Sequence, residues 1–283
     1  MTPMNNQIFT GKTFLVANAK AGAGHSPPEV FDGFERLELD EIAPTVADAP
    51  DRTVIAVWGG DGTCRSVAQH IVNTDIALLP APGGTFSHFA RQSGFSTVED
   101  VASGLENSST QRVDTGVVND QVFLNTASIG WYVDLLTRRQ RYEQFMPRKA
   151  AKFLSAAVQL FRTRRLRLQL DGVEERVWML WVGNGVYTSD SGTIPQRKAL
   201  DDGVLDVRIL RAGTKLPKMK AFIAMIRKNS PSSSLVEIRR VGSCTVALRR
   251  NRVGVALDGE LVMMSTPLKF ECQPSSLLLV APK

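Results

Sequence analysis

Three times within its first hundred residues the chain repeats one device: a short apolar run, a glycine-rich turn, then a helical pattern. Residues 13–18 (TFLVAN) lead into Ala19-Lys20-Ala21-Gly22, residues 53–58 (TVIAVW) into Gly59-Gly60-Asp61-Gly62-Thr63, and residues 76–79 into Pro80-Ala81-Pro82-Gly83-Gly84-Thr85. Helices are expected over 64–73, 87–92 and 97–105, the last opened by Thr97 and Asp100 at capping-box spacing. Short buried strands that each turn through glycine into a helix fit few architectures besides a parallel α/β layer. After about Gln111 the texture changes. Runs at 111–118, 121–126, around 171–172, 177–182, 205–210, 235–241, 245–250 and 253–257 read as strands separated by turn residues, with helices at 147–162 and 215–228. This half reads as mainly antiparallel β.

The 283 residues are enough for about two domains. The expected division falls near residue 111, between an α/β part and a β-rich part. Apolar residues at 43% and charged residues at 22% suit a globular chain with a sizeable core. Cys64, Cys244 and Cys272 stand far apart and form no CxxC pair, which argues against a disulfide framework or zinc ribbon and for a reducing, cytoplasmic setting. No apolar run reaches the roughly 18 residues a membrane span needs, and the first 18 residues lack a leader-peptide pattern.

Glycines let main-chain amides approach an anion, and a helix N-terminus adds partial positive charge. Gly59 to Thr63 and Gly83 to Thr85 therefore read as phosphate-binding turns at the ends of neighbouring strands, with Asn18 to Gly22 as a third. Asp61 suits a magnesium–nucleotide complex or a hydroxyl; the plainer reading makes it a helix cap. Two common nucleotide motifs are excluded. Gly11-Lys12-Thr13 lacks the earlier glycine of a P-loop, since position 6 is Asn6, and Gly22 and Gly24 are followed by Pro27 where GxGxxG needs glycine.

Elsewhere the local readings stay open. Asp258-Gly259 between two strand patterns is a favourable hairpin turn, and a hairpin can also present a catalytic residue, here Glu260. Asp201-Asp202-Gly203 can be a turn alone. His25, His70 and His88 have no metal-ligand spacing. Residues 138–167 hold ten Lys/Arg against one acid, Glu143, with Phe145, Met146, Phe153, Leu154, Val158, Leu160 and Phe161 interleaved. That local +9, in a chain of net charge +6, suits an anionic bilayer surface or a solvated helix face, and no nucleic-acid motif accompanies it.

Taken in order, the motifs resemble the diacylglycerol kinase catalytic-domain family of lipid kinases, especially its bacterial members, with sphingosine kinases sharing the fold. Gly59 to Thr63 matches the family's GGDGT, Gly84 to Arg91 resembles its GTxNxFAR, and residues 125–130 (NTASIG) its N-x-A-S-I-G. Asp201 to Asp206 is similar to DDGxLD and Asp258-Gly259-Glu260 to DGE. Ser87 stands where the family usually has Asn, and Ala19 where it has Pro.

The resemblance implies an NAD-kinase/diacylglycerol-kinase-like fold: a parallel three-layer α/β ATP-binding domain over residues 1–111, with about 276–283 returning to it, and a mainly antiparallel β-sandwich-like lipid-substrate domain over 112–275, with the active site in the cleft between them. It implies ATP contacts from Asn18, Ala19, Lys20, Ala21, Gly22, Gly59, Gly60, Asp61, Gly62, Thr63, Cys64, Arg65, Gly84 and Thr85. It makes Glu260 the general base with Asp258 and Asp61 as catalytic companions. A structural Mg2+ site would use the Asp202 side chain and the carbonyls of Ala199 and Val204. The expected function is an ATP- and Mg2+-dependent kinase acting on a lipid hydroxyl, peripheral at an anionic membrane surface and without a nucleic-acid partner. The alternatives are a soluble-substrate kinase of NAD-kinase type and a catalytically silent nucleotide- or lipid-binding protein.

Overall fold

The computed structural model describes residues 11–17, 26–50, 52–84, 87–107, 109–162, 165–188, 196–197, 199–212 and 236–282. They form two compact units, Met1–Thr115 with Gln273–Lys283, and Gly116–Cys272. The helix expected over 215–228 lies outside the described residues.

The first unit is built from β1 (Thr13–Ala17), β2 (Glu35–Arg36), α1 (Ile42–Ala47), β3 (Val54–Gly59), α2 (Asp61–Ile71), β4 (Ala77–Pro82), α3 (His88–Gln92) and α4 (Val98–Asn107). Its strands lie in the order β2-β1-β3-β4, all parallel, and the last residues of the chain add a further parallel neighbour to β4 through Leu278↔Ala77 and Leu279↔Leu78. Continuous apolar runs suit strands covered on both faces. Leu15, Val54, Ala56, Ala77 and Leu79 are buried with Phe95, Val101, Leu105 and Val280 in one core. The α4 capping box is present in both directions: Thr97 Oγ1 accepts from the Asp100 amide at 3.2 Å and Asp100 Oδ2 from the Thr97 amide at 2.8 Å. Pro80 and Pro82 belong to β4 rather than to the loop. Beyond Leu78 the strand keeps ladder pairing with β3 alone, a place where a sheet tolerates proline.

β5 (Thr110–Val118) carries the chain into the second unit. There follow β6 (Gln121–Phe123), β7 (Thr126–Gly130), α5 (Trp131–Glu143), α6 (Arg148–Arg162), β8 (Leu166–Leu170), β9 (Val173–Asn184), β10 (Tyr187–Thr188) and β11 (Gln196–Arg197). β12 (Leu205–Arg211), β13 (Val236–Val241), β14 (Ser243–Leu248), β15 (Arg252–Leu257), β16 (Glu260–Ser265) and β17 (Leu268–Val280) complete it, the end of β17 belonging to the first unit. The pairings β16-β15-β7-β9-β8-β14-β17 and β9-β12-β13 are all antiparallel. Alternate residues such as Val177, Leu205, Val207, Ile209, Val255 and Leu257 meet in one apolar core.

Two differences from the sequence reading stand out. The run expected as one strand over 121–126 is two strands with a break at Leu124 and Asn125. A helix absent from that reading, α5, follows at Trp131. It begins at Gly130 (φ 90°, ψ −128°), where a Cβ would sit 2.5 Å from the Trp178 carbonyl oxygen, so glycine makes the sharp strand-to-helix turn possible.

Candidate functional site

In the first unit the two glycine turns meet backbone to backbone. Gly59 at the end of β3 pairs with Pro82 at the end of β4. A Cβ on Gly83 would lie 2.8 Å from the Gly59 nitrogen, and one on Gly84 would lie 2.5 Å from the Gly60 Cα. Any side chain at either position would push the turns apart. Gly60 differs: its backbone is extended (φ −92°, ψ −179°) and a Cβ there would meet nothing within 4 Å. Its missing side chain leaves open space beside the start of α2.

The helix starts three residues earlier than the sequence suggested, at Asp61, so Asp61, Gly62 and Thr63 form its first turn. The Cys64 amide donates to the Gly60 carbonyl at 3.1 Å and is the first to have an acceptor within the helix. The Cys64 and Arg65 side chains are buried, as is Thr63. At this site the sequence therefore offers an anion main-chain atoms at the mouth of a helix.

Asp61 caps a helix, though not its own. Its Oδ2 accepts from the His88 amide at 3.1 Å and its Oδ1 from the Phe89 amide at 2.8 Å, at the N-terminus of α3. Ser87, just before α3, takes the left-handed conformation (φ 44°, ψ 49°), which asparagine tolerates better than serine. Its Oγ accepts from the Gly84 amide at 3.0 Å and donates to the Gly84 carbonyl at 3.2 Å. The departure from the family's Asn thus keeps a local polar contact. Asn18 to Gly22 and Thr85 lie outside the described residues.

In the second unit Asp258 and Gly259 are the two central residues of the β15–β16 hairpin, both at positive φ (47° and 88°), the geometry of a type I′ turn. The Asp258 carboxylate accepts from three successive amides: Leu124 on Oδ2, and Asn125 and Thr126 on Oδ1, each at 2.8 Å. The Asp258 amide donates to the Thr126 carbonyl at 2.8 Å. The turn is thereby fastened to the break between β6 and β7, and Glu260, one step past it, is exposed.

The Asp201–Asp206 motif organises a different stretch. Asp202 Oδ2 accepts from the Val186 amide at 2.8 Å, while its Oδ1 is buried and has no hydrogen-bond partner among the described residues. The Val204 carbonyl accepts from the Gly185 amide at 2.8 Å. A buried carboxylate oxygen without a hydrogen bond is a donor of the hard kind that Mg2+ takes. No group of three or more His, Cys, Asp or Glu side chains suited to a metal occurs among the described residues; Ala199 and Val204 would contribute main-chain oxygens only.

Sequence reasoning missed the group next to Asp202. Asp206, buried at 1% exposure, pairs with Arg208 at 2.8 Å, and Arg208 also donates to the Tyr187 carbonyl at 2.7 Å and stacks over Trp181. The Tyr187 hydroxyl donates to the Asn125 carbonyl at 2.9 Å, which ties this pair to the loop that Asp258 holds. The signal was available: Asp206 and Arg208 are two apart on a strand and so share a face.

Residues 29–118 match the diacylglycerol kinase catalytic domain, and residues 127–281 the YegS C-terminal NAD kinase beta sandwich-like domain. The chain is 27% identical over 241 residues to the "Probable lipid kinase YegS-like" protein of Pseudomonas putida, covering 81% of this chain and 77% of that one. It is 24% identical over 299 residues to a diacylglycerol kinase of Mycobacterium tuberculosis, covering 96% of each. With an uncharacterised protein of Synechocystis it shares 25% identity over 251 residues, and there it spans only 56% of the relative's length. A solved diacylglycerol kinase structure from Bacillus anthracis superposes with a TM-score of 0.66 at 20% identity, over 96% of this chain and 97% of that one.

Proposed function

This chain belongs to the diacylglycerol kinase catalytic-domain family, in the form that carries a YegS-type C-terminal NAD kinase beta sandwich-like domain, and on that premise we propose that it transfers the γ-phosphoryl group of ATP to a lipid hydroxyl at a membrane surface. The observation that carries the nucleotide half is the pair of glycine turns in main-chain contact, with open space where a Gly60 side chain would be. Phosphoryl transfer asks a protein mainly for positioning and charge stabilisation. The first turn of α2 supplies amides for phosphate oxygens, and Asp61 keeps His88 and Phe89, at the start of α3, against that turn. Mg2+ bound with the nucleotide would neutralise phosphate charge, and a second, structural ion would be held by Asp202 with the carbonyls of Ala199 and Val204.

Glu260 is assigned the general base. As the lipid oxygen bonds to the γ-phosphorus and the bond to the bridging oxygen of ADP breaks, the hydroxyl proton passes to the Glu260 carboxylate. Asp258 is a positioning residue, because its oxygens are taken up by Leu124, Asn125 and Thr126. The basic segment 138–167 supports the membrane half of the proposal, and no helix among the described residues is long and apolar enough to cross a membrane. Labelled ATP offered with a mixed lipid extract, and in parallel with NAD, tests the reading. Magnesium-dependent label in the lipid phase is expected; label in NADP alone, or in neither acceptor, would overturn it.

A further inference from the structure

Helix α6 buries a small and polar face against the protein. Ala151, Ser155 and Gln159, spaced four apart on one face, are 0%, 1% and 0% exposed. They are small or polar, and Gln159 is held by specific bonds: its Nε2 donates to the Trp131 carbonyl at 3.0 Å and its Oε1 accepts from Arg138 at 2.9 Å. The opposite face carries the bulk. Phe153 is 80% exposed and Leu154 38%, with Ala150 also exposed, and Phe145, in the turn before the helix, is 79% exposed. A helix of a water-soluble surface turns its large apolar side chains inward; here Phe153 and Leu154 project away from the protein.

The charge around this face identifies what it meets. α6 contains Arg148, Lys149, Lys152 and Arg162 and no acid, and Lys149 and Lys152 are exposed beside the apolar stripe. A second copy docked symmetrically on this face would set the same cations against each other. An anionic bilayer satisfies both components, with headgroups for the lysines and the acyl boundary for the aromatic rings. Elsewhere in the basic segment, Arg139 bridges Glu143 at 2.7 Å and Arg165 stacks over Trp178.

We infer that the outer face of α6, with Phe145, Phe153 and Leu154, inserts into the headgroup region of an anionic membrane and anchors the protein there. This rests on the peripheral-membrane part of the proposed function and specifies which atoms enter the lipid. All three native cysteines are buried, and burial first, then the nearby Asp171 charge, pushes the Cys244 thiol up to about 12, so a cysteine placed at 153 can be labelled selectively.

The test uses the full chain with Phe153→Cys carrying an environment-sensitive fluorophore, and vesicles of phosphatidylglycerol with phosphatidylcholine or of phosphatidylcholine alone. A blue shift with the anionic vesicles, quenched by spin labels on the lipid chains, is expected. In parallel, unlabelled Phe153→Glu/Leu154→Glu protein should sediment with anionic vesicles about tenfold less than the wild type, at unchanged Tm and ATP affinity. If the wild type sediments but the probe stays aqueous and the double variant binds equally, the anchor is refuted while membrane attachment stands. If the wild type does not sediment at all, both fall. If the double variant changes the size of the particle in solution but not its vesicle binding, the face belongs to a second copy and the inference is wrong.

Discussion

The glycine turns of the first unit and the hairpin of the second solve the same problem with an aspartate, and differ in what they leave for chemistry. Asp61 takes two amides at the start of α3, 27 and 28 residues along the chain; Asp258 takes three amides from a loop 132 to 134 residues away. Each carboxylate fastens its own turn to a second segment. In the first unit this leaves main-chain atoms and the open position at Gly60. In the second it leaves an exposed side chain, Glu260, one residue beyond the fastened turn. An acid within such a motif can hold its turn in place through main-chain amides, which its hydrogen bonds reveal and the sequence does not.

The comparison is tested most strongly at Glu260. Glu260→Gln should lower turnover by about 10²–10⁴-fold with Tm and ATP affinity nearly unchanged, the usual effect of removing a general base. Steady-state kinetics beside a thermal melt measures both, and turnover equal to wild type would return the base role to Asp258 or Asp61. Asp258→Asn should show the reverse balance. An amide cannot accept from all three main-chain donors, and hydrogen bonds to a charged group are each worth about 1.5–3 kcal/mol, so a loss near 3 kcal/mol in stability is expected. A variant that melts like the wild type yet is inactive would make Asp258 catalytic. Asp61→Asn forfeits one of the bonds to His88 and Phe89 and should cost about 2 kcal/mol, with weakened ATP binding because the start of α3 loses part of its tether. Weakened binding with an unshifted melt would mean that Asp61 acts on the nucleotide directly.

What the sequence made legible was local. The β3–Gly59–α2 passage, the Asp258-Gly259 turn and the α4 capping box are set by residues within a few positions of one another, and each is present in the structure. The missed features are those fixed at a distance. Nothing beside Asp61 announces that its acceptors face His88 and Phe89, and nothing beside Asp258 announces the β6–β7 break. α5 escaped because it opens on Trp131, Tyr132 and Val133, poor helix formers after a glycine, and is held by packing of Trp131, Val133 and Leu136 instead. The outer face of α6 was illegible for the same reason: periodicity shows that a helix has an apolar stripe, and only the fold shows which way it points.

A third aspartate provides the control and the smallest expected effect. Asp100 also accepts from two amides, Ser96 at 2.9 Å and Thr97 at 2.8 Å, but both lie within four residues and the site is exposed. The Thr97 amide first, then the Ser96 amide, holds the Asp100 carboxyl below its ordinary value of 3.8. A group whose value is lowered in the folded state contributes stability that is present above the unfolded value and is lost as pH falls through the folded one. The Tm difference between wild type and Asp100→Asn should therefore be small and level at neutral pH, and should shrink once the pH passes below 3.8. Melts across that range measure it. A difference that persists in strong acid would show that Asp100 acts through packing rather than charge. A difference as large as that of Asp61→Asn would show that reach along the chain is not what sets a fastening aspartate apart: two local amides would then hold as much as two distant ones, and the case for Asp61 as an organiser of the phosphate turns would have to rest on ATP binding alone.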